Sequence, residues 1–142
     1  MPPVLFAGAW ILMALGYSYS GVTKLVSPSW IDGSAIAHVL ENPLARPGAV
    51  REVILALPDG ILRLGTWATL TFELLFAPLA LSRPVRPWIW TLGLAMHLGL
   101  IALIDFADLS LGMAMLHLFT FDPAWVPRVG ARATEQTSCS RW

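Results

Sequence analysis

Apolar residues along the chain gather into four long runs separated by short polar or proline- and glycine-rich stretches. Residues 4–26 make 23 consecutive mostly apolar positions, residues 61–81 make 21 and residues 87–104 make 18. Each is close to the ~20 residues that a helix needs to cross ~30 Å of hydrocarbon. The fourth run, residues 109–125, reaches 17 only by including Asp122 and Pro123, which predicts a short, tilted or partly protein-covered helix. Open sheets leave backbone groups unpaired in lipid, and these runs lack the alternation of barrel strands, so the pattern predicts helices.

The connections differ in kind. Between the first two runs, prolines and glycines interrupt two short helical patterns, at residues 34–41 and 49–57, which predict interfacial or re-entrant helices. In "SRPVRPW" Arg83 and Arg86 mark a turn whose Trp88 and Trp90 suit the headgroup region. "DFADLS" is short enough to force an antiparallel hairpin, with Asp108 as the expected N-cap. The fold class expected is therefore all-α: a polytopic membrane helix bundle of about four transmembrane helices, with short interfacial helices between the first and second. It occupies residues 1–127, and residues 128–142 form a polar tail expected to be disordered. The amino-terminal run has no Lys or Arg ahead of it and no small-residue cleavage site after it, so a retained helix is expected rather than a signal peptide.

Composition agrees with a lipid solvent. Apolar residues are 56% of the 142 and charged residues 13%, against about a quarter charged in soluble domains, and mean hydropathy is +0.67. The expected location is a membrane crossed several times, the cell membrane in the first instance, with the lipid bilayer as the chain's main partner. A formal net charge of zero leaves no nucleic-acid footprint. Cys139 is the single cysteine, which excludes an internal disulfide and a thiolate metal cage. With four spans, one side holds Arg83, Arg86, Arg128, Arg132 and Arg141 and the other Lys24, Arg46, Arg51 and Arg63, a balance from which the positive-inside rule selects no orientation.

The polar residues inside the runs carry the candidate chemistry. Counting back from Lys24 by three, four and seven residues gives Gly21, Ser20 and Tyr17, one polar face of the first helix. From its position near a helix end, snorkelling to the interface is the simpler expectation for Lys24, two to one. Glu73 lies at least eight residues inside either end of its run, in line with Thr66, Thr69, Ala77 and Ala80, and a buried polar role is expected for it. His97 sits near the middle of the third run, with Thr91, Ala95, Gly99 and Ala102 on roughly the opposite face; a satisfied neutral imidazole and an active group are equally good readings. His38 and His117 are expected to be surface or packing residues, and Asp105 and Asp108 to serve their turn. No HExxH, EF-hand loop, Walker motif or nucleophile elbow occurs, so no metal site is predicted.

The order of these pieces resembles a known family. "YSYSGVTKLVSPSWIDGSAIAHVL", then "TFELLFAPLAL", then "MHLGLIALIDFADLSLGMAMLHLFTFDPAW" is similar to the horizontally transferred transmembrane (HTTM) domain, the module shared by vitamin K-dependent γ-carboxylase and many bacterial membrane proteins. The resemblance covers about residues 17–127. It rests most on an aromatic-x-x-small-Gly-x-x-Lys-Leu pattern followed by Trp-x-x-Gly. It implies a quinone or vitamin K-like hydroquinone as cofactor, with Lys24 in the place of the lysine that deprotonates the quinol. Burial suits a lysine to that role because it penalises the ammonium and favours an amine able to accept a proton. Beside Lys24 as catalytic residue, Glu73 and His97 are expected, if they face the same cavity, to tune its amine or bind a quinol hydroxyl, and Tyr17 and Trp30 are the expected cofactor-binding residues.

The family module has further helices before its lysine segment, and the carboxylase has a large extramembrane domain. The expectation here is a chain without those upstream helices, or one that meets a membrane protein partner, and one that does not carboxylate glutamate alone. Two other readings stand beside this one: a non-catalytic membrane subunit or scaffold, and a four-helix protein resembling the redox-associated DoxX group.

Overall fold

In the computed structural model, residues 2–105 and 108–126 are described. The expected tail at 128–142, with Cys139, and the centre of the third connection lie outside them. The described residues form seven α-helices and no β-strand.

α1 (Pro3–Lys24) starts with proline in its first turn, where a missing N–H costs nothing. Ser27, extended because it precedes Pro28, breaks the chain before α2 (Pro28–Asp32). α2 was not anticipated from the sequence. It ends on Gly33, whose φ of 87° falls in the left-handed region and whose Cβ, were there one, would lie 3.0 Å from the Arg63 side chain. Asp32 closes the corner by accepting hydrogen bonds from the Ser34 hydroxyl and N–H, which hold its carboxyl below the ordinary value of 3.8. α3 (Ala35–Glu41) and α4 (Ala49–Leu55) match the two short helices expected there.

α5 (Asp59–Ala80) meets α4 at a bend of 105° and runs through Pro78, two residues before it ends. α6 (Arg86–Leu103) follows the "SRPVRPW" turn, and α7 (Asp108–Thr120) follows the third connection. Asp108, expected to cap α7, is the first described residue of that helix. The fourth expected span is shorter than its run: α7 has 13 residues, about 20 Å of helix, and a 3₁₀ turn follows at Pro123–Trp125. Pro123, which has no N–H and holds Asp122 extended, keeps the helix from continuing, and the Asp122 carboxylate accepts from the Ala124 N–H and caps the turn.

Among the described residues, α1 alone is long and apolar enough to cross a membrane, and α4 with α5 passes only as a bent pair. Two features position Lys24. First, α1 packs closely on the second half of α5, with Gly21 against Leu74; a Cβ on Gly21 would lie 2.9 Å from the Leu74 backbone nitrogen. Second, α2 and α3 take over the contact with the first half of α5: Trp67 donates to the Ile31 carbonyl at 3.1 Å and the Ile36 N–H to Thr66 Oγ1 at 3.2 Å. α1 therefore ends partway along α5, with protein beyond it. The end of α6 is tied to residues 44–46 by two backbone bonds, Arg46 N–H to Leu103 O at 2.8 Å and Asp105 N–H to Leu44 O at 2.9 Å. An Arg46–Asp105 ion pair at 2.9 Å sits beside them, so Asp105 does more than serve its turn. The core is aromatic, built on Trp10, Met13, Tyr17, Phe76 and Ile89.

Candidate functional site

Lys24 does not snorkel. Its ammonium forms an ion pair with the Glu73 carboxylate, donates to Ser20 Oγ at 3.0 Å and lies 4.5 Å from the centre of the Trp30 ring. The expectation of an interfacial lysine fails because the helix end is not a bundle end: α2 brings Trp30 over the amine, and α5 offers a buried carboxylate from the side. The polar face foreseen on α1 is present as drawn, with Tyr17 and Gly21 buried and Ser20 bonded to Lys24.

The candidate residues divide between two cavities that share Glu73. The first, of about 370 Å³, is walled by Lys24, Trp30, Thr69 and Glu73 on its polar part and otherwise by apolar residues of α3, α4, α6 and the segment after α6, among them Ile36, Leu40 and Met96. Thr69 is already occupied, donating to the Gly65 carbonyl at 2.9 Å. The charged pair is thus the cavity's principal polar feature. The second cavity, of about 420 Å³, is lined by Tyr17, Ser20, Thr23, Glu73 and His97 with residues of α7. The sequence reading put Lys24, Glu73 and His97 in one pocket and Tyr17 with Trp30. The structure instead separates His97 and Tyr17 from Lys24 and Trp30, because His97 projects from α6 on the face opposite Ala95 and Gly99, which line the first cavity.

His97 is buried and neither ring nitrogen has a hydrogen-bond partner among the described residues. Nearby, His117 is fully buried and fixed at both ends. Its Nδ1 lies 2.8 Å from the Met113 carbonyl, which only accepts, so Nδ1 carries the proton and Nε2 accepts from the Tyr17 hydroxyl at 3.4 Å. This contact exists because position 93 is glycine: a Cβ there would lie 2.5 Å from the Tyr17 oxygen and 2.8 Å from His117 Nε2. Tyr17 stacks on Phe76 with ring centres 4.1 Å apart. His117 is a packing residue, as its sequence context suggested, but its partnership with Tyr17 and Gly93 was not foreseen. The available signal was the spacing of His117 four residues after Met113. His38 is exposed, with Nδ1 3.4 Å from the Ser34 hydroxyl.

Among the described residues no group of three His, Cys, Asp or Glu side chains is placed to hold a metal ion. Comparison of the chain with protein-family models, with curated proteins and with solved structures finds no match.

Proposed function

We propose that this chain is a multi-pass membrane protein of the HTTM type that binds a quinone-like lipid in the first cavity and uses the Lys24–Glu73 pair to take a proton from it. The observation that carries this reading is a partly buried ion pair, its carboxylate buried, set into an otherwise apolar cavity of about 370 Å³, the size range of small-molecule sites. A ring with hydroxyl groups and an isoprenoid tail suits such a wall: the hydroxyl meets the charges and the tail meets Leu40, Leu100 and their neighbours.

Membrane residence is supported by the outward surface of α1, where Val4, Leu5, Ile11, Leu12 and Leu15 are all more than half exposed. Spanning by α5 and α6 is part of the proposal, as is the relationship to the carboxylase module.

The ion pair refines the roles of the two residues. Paired with a carboxylate, the Lys24 amine already holds its proton, so the acceptor for a hydroxyl proton is Glu73, and the ammonium faces the oxygen left behind. Lys24 then acts as electrostatic stabiliser, and the pair as a unit does what a lone amine would do. Trp30 covers the ammonium and supplies an aromatic face to the ring.

The test is titration of the protein in lipid nanodiscs with a naphthoquinone bearing a short isoprenoid tail, followed by quenching of Trp30 fluorescence, with Trp30→Phe as the reference. Saturable quenching that weakens at least tenfold in Glu73→Gln is expected. Non-saturable quenching, or equal affinity in wild type and Glu73→Gln, overturns the reading. A second reading, a non-catalytic scaffold, is favoured by the close Gly21–Leu74 approach, since the same ion pair clamps α1 to α5. It gains if Lys24→Met lowers assembled protein and no quinone binds.

A further inference from the structure

A third cavity lies away from the site just described, between the first part of α1 and the last turn of α5. It has a volume of about 600 Å³. Its walls are apolar, with Phe6, Trp10 and Leu15 from α1 facing Ala77, Pro78 and Leu81. One charged residue lines it, Arg86, the first residue of α6.

The guanidinium is held in place. Its Nε donates to the Ala80 carbonyl at 2.7 Å, and its carbon centre lies 5.4 Å from the Trp10 ring. Three features then coincide. No carboxylate pairs with Arg86 among the described residues, so its two terminal nitrogens keep their donors free of acidic partners. Its position at the start of α6 adds the positive end of a helix dipole to its own charge. Trp88, 76% exposed, and exposed Arg83 stand in the same turn, the side chains that mark headgroup depth.

We infer that this groove is a binding site for one anionic phospholipid, with its phosphate on Arg86 and an acyl chain along the α1–α5 groove. A planar guanidinium with free terminal N–H groups matches a phosphodiester in bidentate fashion. The small side chains Ala14 and Ala77 leave the space for the chain. An anionic headgroup is favoured over a zwitterionic one because Arg83 and Arg86 supply positive charge at one depth that no carboxylate among the described residues pairs, and a choline would place a third cation there. The inference depends on the membrane reading but not on the quinone reading, since Arg86 and the groove share no residue with the Lys24–Glu73 cavity.

The experiment is native mass spectrometry of the detergent-purified full chain, titrated with phosphatidylglycerol or phosphatidylcholine of identical acyl chains. One phosphatidylglycerol retained about tenfold more tightly than phosphatidylcholine is expected. Arg86→Gln abolishes the preference, Arg86→Lys keeps part of it and Arg83→Gln leaves most of it. Ala77→Phe, which fills the groove, releases both lipids. Equal retention of the two lipids by wild type, or a preference that survives Arg86→Gln, overturns the site. Should Arg86→Gln not fold, the wild-type headgroup comparison and Ala77→Phe decide alone, and retention undiminished by Ala77→Phe also overturns it. Alkaline carbonate extraction tests the membrane reading separately: release of the chain as soluble protein removes that reading and the lipid site together, whereas failure of quinone binding touches neither.

Discussion

Replacing Lys24 with methionine keeps much of the side chain's length and removes its charge, which isolates the ion pair. The Glu73 side chain is 5% exposed and that of Lys24 20%, so the variant leaves a nearly buried carboxylate without its counter-charge. Breaking a buried pair from one side costs about 3–5 kcal/mol. Partial exposure of Lys24 places the expected loss toward the lower end, ~3 kcal/mol, and Glu73→Gln, which strands a better-solvated ammonium, is expected to lose ~2 kcal/mol. The double variant Lys24→Met/Glu73→Gln strands no charge and is expected to lose only ~1–2 kcal/mol, well short of the ~5 kcal/mol that independent effects would sum to. The assay is reversible unfolding in mixed micelles of increasing SDS fraction, read by tryptophan fluorescence for all four proteins. Losses that add within about 0.5 kcal/mol would mean the two groups do not interact, and the reasoning behind both the clamp and the proposed site would fail.

Two further outcomes follow from glycines at close approaches. Gly21→Ala puts a methyl group 2.9 Å from the Leu74 backbone nitrogen and is expected to lose ~1–3 kcal/mol in the same unfolding assay, whereas Gly8→Ala, on the same helix with nothing within 4 Å, is expected to be neutral or stabilising through helix propensity. Equal effects at the two positions would remove the close α1–α5 contact from the account. Gly93→Ala is expected to separate Tyr17 from His117. The measurement is the ¹⁵N shift of His117 Nε2 in histidine-labelled protein, and an unchanged shift would show that the pair is not formed.

Much of the architecture was legible because helix period and proline position are local. Lys24, Ser20, Gly21 and Tyr17 share a face through their spacing alone, and α3 and α4 lie between the prolines and glycines that bound them. Three features were not legible. The turn after α7 depends on Asp122, whose capping bond to the Ala124 N–H forms beyond the helix inside an otherwise apolar stretch. The fate of Lys24 depends on α2 and α3 lying beyond it, a tertiary fact that the position of a lysine near a helix end does not encode. The division of the site depends on the rotation of α6, which turns His97 one way and Ala95 with Gly99 the other. Sequence spacing named these as opposite faces, but not which neighbour each face would meet.

The placement of Glu73 in the walls of two chambers has a consequence for any attempt to redesign either one. A side chain that forms a common partition cannot be enlarged, shortened or reoriented on behalf of one compartment while the other stays as it was. Changes intended to widen the room beside Trp30 will be felt by the imidazole next door, and the two volumes must be reshaped together.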